Sequence, residues 1–251
     1  MKKLSWSKGG WVVMASVSMF FGGCETSKQN RAAQSAIPVP VRDPQPVPVG
    51  FQPGKGEVLA VHGKAKFSLQ GEQWAKLKLG AVLRPGTAVW VGTNSSVNIL
   101  LGINGPLILL TNKSLLVINS LAYKRADSEM TIDTRFFLQE GQMLANVKRL
   151  ATNSNYEVRT PTGLMKGLMK GQVGGAGDYY VNADGRLGVL GGSPVEYNFG
   201  GKNYVIKTGE LFDPGTREVS KLESKYYRLV EMRRLDPPPQ PPPSGWPQRK
   251  F

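Results

Sequence analysis

Between residues 56 and 214 the chain is cut into short β-branched or aromatic runs, with glycine, asparagine or proline recurring at intervals of about 8–12 residues. Such spacing leaves no room for helices of ordinary length, and no segment of this stretch shows a helical period. Residues 57–67 (EVLAVHGKAKF) alternate around Gly63. Residues 73–83 place Trp74, Leu77, Leu79 and Leu83 ahead of a Pro85-Gly86 turn. Residues 87–101 hold AVWV, a turn-prone GTNSS and then VNILL. Further runs fall at 107–110, 114–118, 135–138, 143–147 and 156–159, with Gly141 breaking the last hairpin. The apolar stretch 99–121 is interrupted by Asn104, Gly105, Pro106, Asn112, Lys113 and Asn119, so it predicts a buried strand pair and not a membrane span. The fold class that follows is all-β.

The flanks have a different grammar. Residues 25–54 are polar and then proline-alternating (IPVPVRDPQPVPVG), which favours extended polyproline II backbone and predicts a stiff tether. After Asp213-Pro214-Gly215, residues 216–236 place Val219, Leu222, Tyr226, Leu229 and Val230 at helical spacing, which predicts one C-terminal helix docked on the β body. Asp236-Pro237 ends it, and residues 237–251 form a proline-rich tail.

The first 23 residues read as an export signal: Lys2, Lys3 and Lys8, an uncharged run of eleven residues from Trp11 to Phe21, then Gly22-Gly23. The only cysteine, Cys24, follows directly. Its position resembles the lipobox of bacterial lipoproteins, in which that cysteine is lipidated and becomes the mature N-terminus. Phe21 departs from the aliphatic residue usual in such boxes. Ordinary cleavage near Gly23, with Cys24 a bystander thiol, and an uncleaved anchor are the alternatives. Glu25 after the cysteine, in place of Asp, points to the outer membrane. The net charge of +14 becomes +11 once the three lysines of the signal are removed. That excess reads first as a solvated surface and second as one that contacts lipid headgroups or envelope polysaccharides, and export makes nucleic acid the less available partner.

Catalytic and metal chemistry find little support. One cysteine excludes thiolate zinc sites, and one histidine, His62, makes a His-based metal site improbable. There is no G-x-S-x-G elbow to present a serine. Glu57, Asp133, Glu140, Glu157, Asp178 and Asp184 show no spacing that pairs two carboxylates for glycosidase work. The glycines at 163, 167, 171, 174, 175 and 177 read as turn positions needing positive φ. A phosphate loop is rejected because a strand, not a helix, follows them.

The β region resembles the FecR domain family. The likeness is carried in order by Gly56-Glu57-Val58, Gly63, Trp74 with Leu77-Lys78-Leu79-Gly80, Leu83-Arg84-Pro85-Gly86, Gly92-Thr93, Ser96-Val97-Asn98-Ile99-Leu100, Ile108-Leu109-Leu110, Ser114-Leu115-Leu116 and Leu138 through Leu144. Its sharpest part is Tyr156-Glu157-Val158-Arg159-Thr160-Pro161-Thr162-Gly163, similar to the family's Y-x-V-x-T-P-x-G strand and turn. Where the family has a V-R-G-T core, this chain has a tandem LMKG at 164–171, with Lys170-Gly171-Gln172 near the Arg-Gly-Thr position. The duplication is expected to lengthen a loop and expose Met165 and Met169. Residues 179–186 resemble the family's V-x-x-D-G hairpin, and 190–193 its closing strand.

The resemblance implies an extracytoplasmic all-β unit, a solenoid-like or sandwich-like stack of short strands. Founding members signal through a membrane helix to a sigma-factor regulator; this chain has no such helix after Cys24, so that role does not transfer. The expectation is therefore a non-catalytic lipoprotein of the cell envelope, facing the periplasm, that binds or organises envelope components. Its segments are a signal (1–23), a lipid-anchored tether (24–54), a FecR-like domain (55–215), a helix (216–236) and a tail (237–251). Its partners are the membrane, through lipidated Cys24, and an envelope protein or polysaccharide. No cofactor, metal ligand or catalytic residue is assigned. Trp74, Trp90, Tyr179 and Tyr180 are candidate contacts if exposed, with core packing expected for the two tryptophans. A ligand-sensing regulator and a secreted polysaccharide-processing enzyme are the alternatives.

Overall fold

The computed structural model describes residues 45–227 except 72, 103–105, 127–128, 149–150, 152 and 168–175. The first eight strands are β1 (Gln52–Pro53), β2 (Gly56–His62), β3 (Ala65–Leu69), β4 (Ala75–Lys76), β5 (Val82–Leu83), β6 (Thr87–Val91), β7 (Ser96–Leu101) and β8 (Leu107–Ala126). The next nine are β9 (Glu129–Val147), β10 (Asn155–Arg159), β11 (Gly163–Lys166), β12 (Gly177–Asn182), β13 (Leu187–Gly192), β14 (Val195–Phe199), β15 (Lys202–Ile206), β16 (Glu210–Asp213) and β17 (Glu218–Lys221). The all-β expectation holds.

Strands β8 and β9, of 20 and 19 residues, are three times the usual length and pair with each other over most of it. Both bend at the middle and so belong to two layers. In the first layer, the start of β8 and the end of β9 lie between β7, β2 and β5 on one side and β12, β13, β16 and β17 on the other. In the second, the later part of β8 and the start of β9 lie between β6, β3 and β4 on one side and β10, β11, β14 and β15 on the other. Among the described residues only the β9–β10 pairing is parallel. The layers share one core: Val58, Ile99, Ile108 and Val189 of the first pack with Val89, Leu116, Tyr156 and Tyr197 of the second. Phe212 on β16 meets the rings of Tyr197, Phe199 and Tyr204 at centroid distances of 5.1, 5.1 and 4.7 Å, an aromatic cluster spanning the two layers.

The bend is written into four residues. Asn112 and Lys113 take left-handed backbone (φ 28° and 52°), and Gly141 across from them does the same (φ 73°). Asparagine tolerates that region through its short polar side chain. Its Oδ1 accepts the Asn94 N–H at 3.0 Å, while the Asn112 and Lys113 N–H groups donate to the carbonyls of Ser95 and Gly92. The Ser114 hydroxyl bonds the Gln142 backbone at 3.0 Å through both its N–H and its C=O. The 92–95 turn thus clamps the point where the long hairpin crosses between layers.

Several expectations are corrected. Residues 216–221 are not helical: the Asp213-Pro214-Gly215 turn sends the chain back, and β17 pairs antiparallel with β16. Helix is confined, among described residues, to one turn at 224–227. Val219 is consequently 37% exposed, while Leu222 and Tyr226 do dock as expected. Leu222 lies over Gly188, where a Cβ would come within 2.9 Å of its methyl, and the Tyr226 ring meets that of Tyr180 at 5.0 Å with the planes tilted by 57°. Residues 45–54, expected in the tether, lie against the body: the Gln45 N–H donates to Asn119 O at 3.0 Å, and β1 pairs with β8. Met165, expected to be exposed, is fully buried in β11. Gly163 and Gly177 are needed for close approach and not for positive φ, since a Cβ at either would collide with the phenol of Tyr197 or Tyr179. Cys24, the signal, the tether up to residue 44, Met169, Lys170-Gly171-Gln172 and residues 228–251 lie outside the described residues.

Candidate functional site

Four segments converge at one end of the sandwich. The β1–β2 connection with the strand ends it joins (Pro53, Gly54, Lys55, Glu57), the turn before β6 (Arg84, Pro85), the end of β7 (Leu100, Gly102) and the later part of β8 (Tyr123) enclose an open cleft of about 570 Å³. Beside it, sharing Gly54, Lys55, Gly102 and Tyr123, is a recess of about 40 Å³ floored by Leu101, Leu121, Ala122, Met130 and Ile132. The larger volume falls within the range of small-molecule sites, and the recess has room for one small apolar group.

Backbone pairing fixes this end. The Gly54 N–H donates to Leu121 O at 2.8 Å, the Gly102 N–H to Lys55 O at 2.8 Å, and the Gly86 N–H to Ile118 O at 2.7 Å. A Cβ on Gly54 would stand 3.3 Å from the Leu121 carbonyl, so glycine lets the link lie close along β8. Gly56 faces Leu83 on one side and Leu101 on the other, which places Glu57 at the rim opposite Val82 and Leu100. Lys55, Glu57 and Arg84 are exposed, and Tyr123 is half-buried with its ring available as one wall. The cleft therefore offers two cations, one carboxylate, an aromatic face and an apolar recess.

The sequence-predicted acids are dispersed. Asp133 is buried and satisfied, accepting from Ser120 Oγ at 2.7 Å, Asn155 Nδ2 at 2.9 Å and Arg135 Nε at 3.1 Å. Asp178 accepts from Asn146 Nδ2 at 2.9 Å, and Asp184 holds the β12–β13 turn by accepting the Arg186 N–H at 2.8 Å. Glu157 stands opposite Arg135 on the second layer, and Glu140 is exposed opposite Leu115. Only Glu57 reaches the cleft. No group of three or more His, Cys, Asp or Glu among the described residues is placed to hold a metal ion. No described helix is long and apolar enough to cross a membrane.

The candidate aromatics sort opposite to expectation. Tyr179 and Tyr180 are buried, and burial pushes the Tyr179 phenol up to about 12, with the Asp178 carboxylate adding to the effect. Trp74 and Trp90 are half-buried, so they are the pair available at the surface. Sequence reasoning missed Lys55, Arg84 and Tyr123 as a set, because they lie 29 and 39 residues apart and meet only through β8. No family model, curated protein or solved structure matches this chain.

Proposed function

We propose that the chain is a non-catalytic, lipid-anchored module of the bacterial cell envelope, of the FecR type, that binds an anionic polysaccharide in the end cleft. The observation that carries this reading is the composition of the cleft. Lys55 and Arg84 suit a sugar carboxylate, Tyr123 offers a face for a pyranose ring, and Glu57 accepts from hydroxyl groups. The apolar recess beside them suits the methyl of an N-acetyl substituent. Glycoside hydrolysis asks for two carboxylates flanking the bond, and among the described residues the cleft wall supplies Glu57 alone. Binding without cleavage is the chemistry these side chains support.

Titration calorimetry with soluble, N-acetylated, carboxylate-bearing cell-wall oligosaccharides tests the reading. Binding is expected for the full chain and is weakened at least tenfold by Lys55→Ala together with Arg84→Ala, both exposed positions that leave the fold intact. Equal affinity for the neutral, carboxylate-free sugar would sink the assignment, as would release of shortened products. The intact mass of membrane-extracted protein beside Cys24→Ser checks the anchor: added acyl mass on a chain starting at Cys24, absent from the variant, is the expected result.

A further inference from the structure

We propose that the outward face of the second layer around Trp90 lies on an anionic phospholipid surface; the proposal rests on the lipid-anchored reading above. Lys66 is in register with Trp90 on one neighbouring strand and with Lys76 on the other, so the three side chains form one cross-strand row. Lys64, two residues before Lys66, projects to the same side. With Gly63 and Ala65 these residues border a shallow depression of about 440 Å³. The indole of Trp90 lies against Gly92, where a Cβ would come within 3.1 Å of it.

Two lysines directly opposite each other destabilise a sheet. None of the three makes an ion pair among the described residues. Elsewhere on the same layer the register compensates charge: Arg135, Glu157, Lys166 and Glu196 follow one another across four strands with alternating sign. The Lys76–Lys66–Trp90 row sets no carboxylate directly opposite either lysine, its in-row acid being Glu140 two strands beyond Trp90, and the lysine end has the pattern of a surface awaiting anions. Lysine and tryptophan are the pair suited to a bilayer interface, the ammonium on headgroup phosphate and the indole at headgroup level.

The path of the chain selects a membrane over a soluble polyanion. Gln45 reaches the body over this same face, its side-chain oxygen accepting from Arg135 Nη1 at 3.4 Å and its N–H bonding Asn119. Asn119 lies four residues beyond Leu115, the partner of Trp90, or about 13 Å along β8. Gln45, the first described residue, is therefore bonded on the face that carries the lysines.

The test uses the full chain carrying Cys24→Ser, so that no acyl group contributes, and sedimentation with vesicles. Binding is expected to vesicles of phosphatidylglycerol mixed with phosphatidylethanolamine, not to phosphatidylcholine alone, and to weaken with salt. Lys66→Gln and Lys76→Gln should each lower partitioning about fivefold, the factor that matches ~1 kcal/mol per basic residue near such a surface. Lys166→Gln, in the compensated row, should leave it unchanged. Far-UV dichroism and melting on every variant separate loss of binding from loss of fold. Equal loss in Lys166→Gln overturns the proposal, and so does binding to a soluble anionic polysaccharide without binding to vesicles. Missing acyl mass on Cys24 removes the anchor alone, while missing vesicle binding removes this contact alone.

Discussion

Replacing Gly141 by alanine tests whether the crossing of β8 and β9 between layers is what holds the two layers together. Gly141 has φ 73°, a region that costs a non-glycine residue about 1–2 kcal/mol. A Cβ there would stand 2.6 Å from Ser114 Cα and 2.7 Å from Lys113 O, and would also collide with the Ser114 hydroxyl. Two of these three atoms are backbone at the bend itself, so relief requires moving the clamp, an overpacking cost of about 1–3 kcal/mol. Loss of chain freedom in the unfolded state offsets about 0.4–1 kcal/mol. The net expectation is destabilisation of about 2–4 kcal/mol, and a fall in melting temperature of about 6–12 °C for a domain of this size. Gly80→Ala is the control. Its φ is 75°, yet no atom lies within 4 Å of its added Cβ, so it carries the backbone cost alone, about 1 kcal/mol. Equilibrium urea unfolding followed by dichroism and tryptophan fluorescence measures both. If Gly141→Ala falls within about 0.5 kcal/mol of Gly80→Ala, the bend yields easily and the clamp has no structural weight.

Two further predictions concern buried tyrosines. The Tyr156 hydroxyl is buried without a hydrogen-bond partner among the described residues, whereas that of Tyr197 donates to Gly185 O at 2.8 Å. Tyr156→Phe is therefore expected to be neutral or to stabilise by about 1 kcal/mol, and Tyr197→Phe to destabilise by about 1–2 kcal/mol; urea midpoints in the reverse order would refute the assignment. Burial also pushes Tyr179 and Tyr197 up to about 12 and raises Tyr156. Because the unfolded phenols lose their protons near 10, stability is fully present below pH 10. Between pH 10 and 12 it should fall by about 1.4 kcal/mol per pH unit for each of the three. Phenolate absorbance of the native protein reads this directly, and ionisation of all eight tyrosines near pH 10 before unfolding would contradict it.

What could be read from the chain was local. Pro85-Gly86, Asp184-Gly185 and Asp213-Pro214-Gly215 each supply the backbone geometry of a turn, and each does turn the chain. The spacing of Val219, Leu222 and Tyr226 suggested a helix because two of the three are buried at helical intervals, but strand β17 followed by one helical turn buries the same two. Asn112 and Lys113 looked like an interruption between two short strands. In the structure they are a bend within one long strand, since a left-handed pair held by the 92–95 turn redirects pairing without ending it. The cleft was illegible for another reason: its cations and its aromatic wall come from three segments that only the β8 register brings together.

The same strand sets how the two proposed surfaces relate. β8 carries Leu115 opposite Trp90, Asn119 where the incoming chain is bonded, and Tyr123 in the wall of the cleft. Eight residues separate Leu115 from Tyr123, about 26 Å along an extended strand. Pairing along β8 with β9 and with β7, β6 or β1 makes that stretch a fixed spacer, with bends where the register slips. A sugar in the cleft and a bilayer at the lysine row are then far enough apart to be engaged together, and Gln45 is bonded between them. Coupling between two sites requires an element with two packings that both ligands bias. A doubly paired strand buried against a shared core favours one packing, so the arrangement suits a module that bridges polymer and membrane more than one that relays a signal between them.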